Sequence, residues 1–266
     1  MNCLLNYKNG FSIINHTHMK VSIITVCYNS ANTILDTINS VNEQTYLDIE
    51  HIFVDGQSKD STLEIIKKFS NRNPTFISES DSGIYDAMNK GILLCKGEVV
   101  FIINSDDVLH DKFTVENVIE TFEKNPKSDI VFGSIKISEQ SNLLKTKRNW
   151  KATDFIENSF INGWHPPHPG FVVKKKCYDR FGLFNASYKI ASDFNLIYRF
   201  LEVNKIKPTK IDRFITIQRG GGASMKYSGI IQGFKEIKQT FKENSINLNL
   251  LVYLFKRYLS KIIQYK

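Results

Sequence analysis

The amino-acid sequence predicts an α/β fold with a mostly parallel central sheet flanked by helices. Between residues 20 and 110, strand-like apolar runs alternate with segments of helical periodicity, which is the pattern of parallel strands joined by helical crossovers. Val99–Ile103 is an unbroken apolar run, typical of a strand that is buried on both faces. Polar residues follow the predicted strands, and the right-handed crossover rule places these strand ends at one edge of the sheet.

Each element of this alternating part has its own local signal. Helical periodicity begins after Ser30, a candidate N-cap, with apolar residues recurring three and four positions apart. The helix before the central strand stops at Gly97, because glycine is favoured where a helix ends. The predicted order is strand 21–27, helix 31–41, strand 49–54, helix 60–69, strand 75–78, helix 84–96 and strand 99–103.

The second half departs from this alternation and predicts a mixed arrangement. Weakly alternating residues at 134–150 predict a hairpin or edge strands. Residues 162–170 contain three prolines, which exclude regular helix or central strand and predict a stiff loop. The glycine-rich stretch 220–224 is either a lid over a ligand or a linker. The other predicted elements are a helix ending near Asn125, strand 129–133, strand 171–173, helix 174–181, a helix after Asp193, strand 214–219 and helix from Ile230 onward.

Composition and charge limit the partners of the protein. The chain has 266 residues, a formal net charge of +8 and no apolar stretch near the ~20 residues needed to span a bilayer. The positive charge favours nucleotides, nucleic acid or an anionic membrane surface. Because Lys and Arg are spread along the chain without a nucleic-acid-reading motif, we expect no nucleic-acid partner. The four cysteines lack paired spacing, which predicts reduced thiols in a cytoplasmic protein.

Two common phosphate-binding motifs are missing from the sequence. No Gly-x-Gly-x-x-Gly follows the first predicted strand, and no Gly-x-x-x-x-Gly-Lys-Ser/Thr occurs anywhere. Both motifs hold phosphate on glycine backbone at the start of a helix. The sequence therefore argues against dinucleotide-binding and P-loop proteins.

Asp106 and Asp107 directly follow the central strand and the short polar pair Asn104-Ser105. Two adjacent carboxylates at the end of a buried strand are costly unless something neutralises them. Mg²⁺ or Mn²⁺ would do so, because these hard cations take ligands from one or two carboxylates and a substrate phosphate. A solvated turn that caps the next helix is the alternative, and these residues alone leave both interpretations open.

Residues of the second half are further candidates that have simpler alternatives. Asp193 lies in the first turn of a predicted helix, where a plain N-cap is the simpler interpretation. His165 and His168 of the proline-rich loop either bind phosphate or a metal ion or are positioned by packing, and packing is favoured. Trp164 in the same loop has a ring suited to stacking.

Four motifs, in this order and spacing, resemble family 2 glycosyltransferases, which are inverting enzymes with the GT-A (Rossmann-like) fold. The likeness runs from about Lys20 to Ser224, and its third motif is similar to a bacterial branch that builds surface polysaccharides. The motifs are VSIITVCYN at 21–29, VDGQSKDST at 54–62, DSGIYDAMNKG at 81–91 and NSDD at 104–107.

The resemblance implies how the nucleotide sugar would be held. Tyr28 would pack on the nucleotide base, and Asp55 would accept a base N–H. Asp81 would help position the nucleotide, and Asp106 would face the ribose or the sugar. We therefore expect these four side chains around one donor molecule.

The resemblance also implies the chemistry. Asp107 would bind a divalent cation, Mn²⁺ or Mg²⁺, which stabilises the diphosphate leaving group. Asp193 would be the general base, because an inverting transfer needs a carboxylate to deprotonate the attacking hydroxyl. This implied role raises Asp193 from a candidate N-cap to the main catalytic candidate.

The sequence departs from the family's pattern at several positions. Asp55-Gly56-Gln57-Ser58 stands where many members have Asp-Asp-Gly-Ser, so one carboxylate is missing. Asn104 replaces a common aspartate, Met88 a common arginine, and Ser192 a common glutamate before the catalytic aspartate. These departures concern the details of nucleotide contact and leave the fold prediction unchanged.

The resemblance implies a metal-dependent enzyme that transfers a sugar from a nucleotide-diphospho-sugar to a glycan or lipid-linked acceptor in bacterial surface-polysaccharide synthesis. The alternative is a non-catalytic nucleotide-sugar-binding or scaffold protein at a membrane biosynthetic complex. The expected organisation is an N-terminal extension at 1–19, a GT-A domain at 20–224 and a C-terminal helical tail at 225–266. Within the domain, residues 20–133 would hold the nucleotide sugar and residues 134–224 the acceptor.

The predicted tail mixes large apolar residues with Lys and Arg. A basic amphipathic helix of this kind is typical of attachment to a membrane surface, here the inner face of the cell membrane. A final helix packed on the domain, with its lysines in solvent, explains the pattern equally well.

Overall fold

The computed structural model describes residues 19–222 and 226–262. The predicted extension, except Met19, and Ser224 of the glycine-rich loop lie outside the described residues. The strands are β1 (Val21–Cys27), β2 (Ile49–Asp55), β3 (Thr75–Ser78), β4 (Val99–Asn104), β5 (Val108–Leu109), β6 (Ile130–Ser138), β7 (Thr146–Trp150), β8 (Phe171–Lys174) and β9 (Pro208–Arg219). The helices are α1 (Ile34–Asn42), α2 (Thr62–Phe69), α3 (Ile84–Leu94), α4 (Thr114–Lys124), α5 (Lys175–Phe181), α6 (Ser192–Tyr198), α7 (Tyr227–Glu243) and α8 (Leu250–Ile262).

The described strands form one sheet in the order β3-β2-β1-β4-β8-β6-β9-β5, with β7 paired to β6. In its first half, β1 pairs in parallel with β2 and β4, so that Val21 lies opposite both Ile49 and Val99. All of β1 is buried, and its consecutive residues Ile23 and Ile24 belong to hydrophobic clusters on opposite faces of the sheet. The predicted α/β alternation is confirmed, and the carboxyl ends of β1, β2 and β4 share one edge.

The second half of the sheet is mixed, as predicted, but two of its elements differ from the prediction. β9 covers Pro208–Arg219 rather than 214–219, because its first residues are too polar and exposed to have a strand signal. β5 has no signal of its own, since it is only two residues long and pairs antiparallel with β9. This pairing places the end of β9 beside the turn that holds Asp106 and Asp107.

Ser30 is not the N-cap of the first helix, as the sequence predicts, because α1 begins at Ile34 after Thr33. The Ser30 carbonyl accepts the N–H groups of Thr33 and Ile34 in the preceding turn. Its hydroxyl forms a hydrogen bond of 2.8 Å with the hydroxyl of Ser105. Ser30 therefore ties the loop after β1 to the loop after β4.

Helices α7 and α8 pack on the rest of the chain. Phe241 of α7 is fully buried against the rings of Phe194 and Tyr198. Tyr253 of α8 is also buried and lies against the ring of Phe241. Residues 226–262, expected as part of a tail, thus share a core with α6. Within 19–222 and 226–262, no helix combines the length and the apolar character needed to cross a membrane.

Candidate active site

A cleft of about 1010 Å³ lies at the carboxyl ends of β1 and β4. Its volume is that of a site for a small molecule or cofactor, for which ~300–1,000 Å³ is typical. Both halves of the chain contribute to its walls, including the loop before α6 and the end of β9. Five of the residues predicted from the sequence line this one cleft: Tyr28, Asp81, Asp106, Asp107 and Asp193.

The turn after β4 presents two carboxylates with different burial. Asp107 is 1% exposed, and one of its oxygens accepts the backbone N–H of Arg219 at 2.9 Å. Its other oxygen accepts the side-chain amide of Asn104 at 3.2 Å. Burial, followed by the charge of Asp106, raises the pKa of Asp107 well above its ordinary value, although Arg219 opposes this shift. Burial likewise raises the pKa of Asp106. The protein itself leaves this negative charge poorly neutralised.

The residues around Asp107 fit a hard divalent cation. The side-chain oxygen of Asn104 is buried and has no hydrogen-bond partner among the described residues. All of the nearby ligand atoms are oxygens, which Mg²⁺ and Mn²⁺ prefer. The described part of the chain has no cluster of three or more His, Cys, Asp or Glu side chains that could enclose a metal ion. The turn therefore suits a cation that takes part of its coordination from a bound phosphate.

Arg219 holds this turn in place, and the sequence analysis did not identify it. Its Nε atom donates to the Asp106 carbonyl at 3.1 Å, and its backbone N–H donates to Asp107. The far end of the guanidinium donates to the Asp36 carboxylate at 2.8 Å and to the Gln140 carbonyl at 3.0 Å. The available signal was an arginine at a strand end immediately before three glycines. Arg219 thus connects β9, α1 and the aspartate turn.

Asp55 does not line the cleft. It is fully buried at the end of β2, where its carboxylate accepts the Ser78 hydroxyl at 2.6 Å and the Ser58 N–H at 3.0 Å, together with the Ser58 hydroxyl. The next residue, Gly56, lies behind two residues that do line the cleft. A Cβ atom there would stand 2.7 Å from an Asp81 carboxylate oxygen and 3.4 Å from the Tyr28 ring. The structure therefore places Asp55 beneath the predicted nucleotide contacts.

Tyr28 and Asp81 present different groups to the cleft. Tyr28 is 64% exposed after the end of β1, so its ring face is open to a ligand. Asp81 is half-buried, and one carboxylate oxygen accepts the Gly83 N–H at 3.0 Å. The two side chains converge above Gly56, which leaves a flat aromatic ring beside a carboxylate.

Asp193 lies in the first turn of α6 and is not its N-cap, which is Ala191. One carboxylate oxygen accepts the Phe194 N–H at 2.8 Å. The Tyr85 hydroxyl, which donates to the Ile190 carbonyl at 2.7 Å, lies 3.4 Å from the same oxygen. These contacts fix the side chain in the part of the cleft wall that the second half of the chain forms. A half-buried carboxylate held in this way is suited to accept a proton from a bound hydroxyl.

The residues of the proline-rich loop divide into two groups. His165 contacts the rings of Trp150 and Phe194, and the Trp164 indole N–H donates to Thr153 at 2.8 Å, so both are positioned by packing. His168 lines the cleft; burial lowers its pKa, and the charge of Asp193 opposes that shift. The lowered pKa favours the neutral imidazole, so His168 adds no positive charge to the part of the cleft that Asp193 lines.

The chain matches known proteins along most of its length. The sequence profile of Glycosyl transferase family 2 matches residues 22–184. A poly-beta-1,6-N-acetyl-D-glucosamine synthase of Staphylococcus epidermidis is 33% identical over 141 residues, which are 51% of this chain and 34% of that protein. A PGL/p-HBAD biosynthesis glycosyltransferase of Mycobacterium tuberculosis is 27% identical over 181 residues, covering 67% of this chain and 68% of that protein. The chain thus spans about a third of the staphylococcal relative and about two thirds of the mycobacterial one.

Solved structures share the fold at lower identity. The crystal structure of S. aureus TarS 1-349 superposes with a TM-score of 0.65 at 19% identity, covering 91% of this chain and 72% of that one. A mannosyltransferase from Pyrobaculum calidifontis superposes with a TM-score of 0.59 at 16% identity, covering 91% and 73%. The chain therefore has the GT-A fold. Because the family profile covers more than half of the sequence, this chain belongs to glycosyltransferase family 2 and is a glycosyltransferase.

Proposed function

We propose that this protein transfers a sugar, with inversion and with a divalent cation, from a nucleotide-diphospho-sugar to a hydroxyl of a glycan or lipid-linked acceptor in bacterial surface-polysaccharide synthesis. The observation that carries this proposal is that Asp107 and Asp193, from separate halves of the chain, line the same cleft. Asp107 would hold the cation, and Asp193 would take the proton. The S. epidermidis relative, named as a polysaccharide synthase, supports the assignment to polysaccharide synthesis.

In the donor half, Asp107 would hold Mn²⁺ or Mg²⁺, with Asp106 facing the ribose or the sugar. The cation, when bound, supplies positive charge for the diphosphate leaving group. The raised pKa of Asp107, which follows from its burial and from Asp106, is the main support for a cation at this turn. The Pyrobaculum structure was obtained in complex with GDP-Man and Mn²⁺, which supports the same choice of ion.

The nucleotide would lie between Tyr28 and Asp81. The open ring of Tyr28 can stack on a base, and Asp81 can accept a hydrogen bond from the nucleoside. The contact of Asp55 with a base N–H stays a prediction. Both of its oxygens already accept hydrogen bonds from Ser58 or Ser78. TarS was crystallised with UDP-GlcNAc and with UDP, which makes uridine the first base to examine.

In the acceptor half, Asp193 would act as the general base. The proton of the acceptor hydroxyl moves to Asp193, the hydroxyl oxygen forms a bond with the anomeric carbon, and the bond from that carbon to the diphosphate breaks. The departing electron pair stays on the nucleoside diphosphate. General-base assistance of this kind contributes a rate factor of ~10²–10⁴.

We also propose that α8 docks on an anionic membrane, where a lipid-linked acceptor would be found. Its outer face exposes large apolar side chains, with Leu251 80% and Phe255 63% exposed, and Tyr258 lies on the same side. Lys256 and Arg257 stand between Phe255 and Tyr258 in the sequence; Lys256 donates to Asn162, and Arg257 donates to the Tyr253 hydroxyl. The whole chain carries a formal net charge of +8. Apolar insertion together with basic residues is the usual basis of interfacial binding.

The experiment for the transfer reaction is a panel of UDP-, GDP- and dTDP-sugars with Mn²⁺ or Mg²⁺. Calorimetry identifies the donor that binds, and release of its nucleoside diphosphate is then measured. We expect cation-dependent binding that Asp107→Asn weakens, and release that Asp193→Asn abolishes while binding persists. Donor binding without release under any condition would instead support the non-catalytic scaffold alternative.

The membrane proposal has its own experiment. Wild-type protein and the double variant Leu251→Ser with Phe255→Ser are sedimented with phosphatidylglycerol-containing vesicles and with phosphatidylcholine vesicles. We expect the wild type to pellet with the anionic vesicles and the double variant to stay in the supernatant. Equal pelleting of the two proteins would contradict docking through α8.

A further inference from the structure

A short segment, Lys189–Ala191, immediately precedes α6 and its residue Asp193. Its three consecutive backbone N–H groups all donate to one side chain, the Glu236 carboxylate of α7. The N–H of Lys189 donates to one oxygen at 2.8 Å. Those of Ile190 and Ala191 donate to the other oxygen at 3.0 Å and 2.7 Å. One glutamate therefore fixes the backbone of the whole 189–191 segment.

Glu236 is suited to this task because it is both buried and ionised. It is 4% exposed and also accepts the Gln232 side-chain amide at 2.8 Å. Burial alone would raise its pKa, but the hydrogen bonds from the 189–191 segment and from Gln232 outweigh burial and lower the pKa overall. A charged acceptor forms stronger hydrogen bonds with N–H groups than a neutral one. The segment is thus held by charge-assisted bonds that solvent does not weaken.

Helix α7 also comes unusually close to this segment. Gly233 lies one turn before Glu236, and a Cβ atom at that position would stand 3.1 Å from Ile190 Cγ2. Glycine is less favourable than alanine in a helix interior, and its presence here allows the helix to approach the segment closely. The short distance lets the Glu236 carboxylate reach all three N–H groups.

The opposite side of the segment is held by α3. The buried Tyr85 hydroxyl donates to the Ile190 carbonyl at 2.7 Å and lies 3.4 Å from an Asp193 oxygen. Tyr85 and Glu236 therefore clamp the segment from two helices. Asp193 lies two residues after Ala191, so its position at the cleft depends on this clamp.

We infer that Glu236 is a positioning residue for glycosyl transfer, which holds the 189–191 segment so that Asp193 reaches the acceptor hydroxyl. The inference rests on the proposed role of Asp193 as general base. It assigns a function to α7, which lies beyond the residues 22–184 that the family profile matches. Glu236 itself exchanges no proton in the reaction. It acts through geometry, to which catalysis is sensitive, since a misplacement of ~1 Å can cost ~10²-fold in rate.

The experiment compares Glu236→Gln with the matched control Thr240→Val in the full chain. Thr240 is equally buried on α7 and reaches the side chain of Asn195 at 3.2 Å, but it contacts none of the three N–H groups. The rate of nucleoside diphosphate release is divided by the number of donor sites counted by calorimetry, which corrects for unfolded protein. The probe is the donor that binds best in the nucleotide-sugar panel, with Mn²⁺.

For Glu236→Gln we expect release per donor site to fall about tenfold or more, with the donor Kd unchanged. Amide hydrogen exchange of the 189–191 segment should become faster than in Thr240→Val. A merely structural role predicts that both variants lose thermal stability and keep the wild-type rate per site, and this outcome would overturn the inference. If Glu236→Gln does not fold, Glu236→Asp retains the charge with a shorter reach, and the same two measurements decide.

Asp193→Asn is measured in parallel to separate the two proposals. If Asp193→Asn keeps the wild-type rate, the proposed general base is wrong, whatever Glu236 does. If Asp193→Asn is inactive while Glu236→Gln keeps the wild-type rate per site, only the positioning role fails.

Discussion

Asp107 and Glu236 are both almost completely buried carboxylates, but their surroundings shift their pKa values in opposite directions. Burial raises the pKa of Asp107, which has one backbone N–H and one amide as donors, and the neighbouring charge of Asp106 raises it further. Burial acts in the same sense on Glu236, but three backbone N–H groups and an amide outweigh it. The carboxylate with four donors serves the structure, whereas the one with two donors and a like-charged neighbour is a candidate for binding a cation.

The same contrast separates the two halves of the cleft. In the donor half, the Asp106–Asp107 turn is held rigidly by Arg219 while its charge remains available. In the proposed acceptor half, the Glu236 carboxylate of α7 is occupied by backbone N–H groups, and Asp193 is the carboxylate that lines the cleft. The donor half is therefore expected to control binding of the nucleotide and cation, and the acceptor half the rate of transfer.

The largest effect is expected for Asp193→Asn, which should lower the turnover number without weakening donor binding. Asp193→Asn should lower the turnover number by about 10²–10⁴-fold, because the amide cannot accept the hydroxyl proton. Donor and Mn²⁺ binding should stay within about twofold of wild type, since Asp193 contacts neither the turn nor its partners in the structure. Calorimetry and nucleoside diphosphate release measure the two quantities. A comparable loss of donor affinity would break the division between the halves.

The next effect tests whether the buried charge of Asp107 is poorly neutralised in the absence of a cation. Asp107→Asn should weaken Mn²⁺-dependent donor binding by at least about 10–100-fold, because even partners of metal ligands have effects of that size. Without a cation, the same change should raise the Tm at neutral pH. The amide removes a buried charge, and its remaining oxygen can still accept the Arg219 N–H. Calorimetry and thermal denaturation with and without Mn²⁺ measure both effects.

The pH dependence of that Tm difference has a definite sign. Because the pKa of Asp107 is raised above its ordinary value of 3.8, the folded protein binds more protons than the unfolded chain within the window above 3.8. Ionisation therefore costs the wild type stability as the pH rises through the folded-state pKa. The advantage of Asp107→Asn should accordingly vanish near pH 3.8 and grow as the pH is raised from there to neutrality. A constant difference across this range would contradict an uncompensated charge.

Local sequence patterns were sufficient for the parallel half of the sheet and for the four cleft-lining residues after strand ends, Tyr28, Asp81, Asp106 and Asp107, whereas Asp193 was selected through the family resemblance. Each of those signals is short: an apolar run, a helical period, or a polar residue at a strand end. Arg219 and Glu236 could not be found in this way, because their partners are distant in sequence. The Arg219–Asp36 bond spans 183 residues, and the Glu236–Ile190 bond spans 46. The same reason explains β5, whose two residues are ordered by pairing with β9.

A smaller effect is expected at Arg219, which positions the aspartate turn and has no proposed part in the chemical step. Arg219→Lys keeps the charge but cannot reproduce contacts with Asp106, Asp36 and Gln140 together, because a lysine lacks the planar fork of donors. We expect donor affinity to fall about tenfold and the maximal rate at saturating donor to stay close to wild type. Donor titrations of the release rate separate the two. A large fall in the maximal rate would show that the turn also controls the acceptor half.

The smallest effect is expected at Gly56, which lies behind Asp81 and Tyr28 in the proposed nucleotide site. Gly56→Ala places a Cβ atom 2.7 Å from the Asp81 carboxylate and 3.4 Å from the Tyr28 ring, so that Asp81 must shift away from its present position. We expect the KM for the donor to rise a few-fold, while the turnover number and the Mn²⁺-dependent rise in Tm stay unchanged. Ser58→Ala is the control, since it removes the hydroxyl that donates to Asp55 without adding bulk under Asp81. If the control raises the KM more than Gly56→Ala does, Asp55 rather than Asp81 governs how the nucleotide is held.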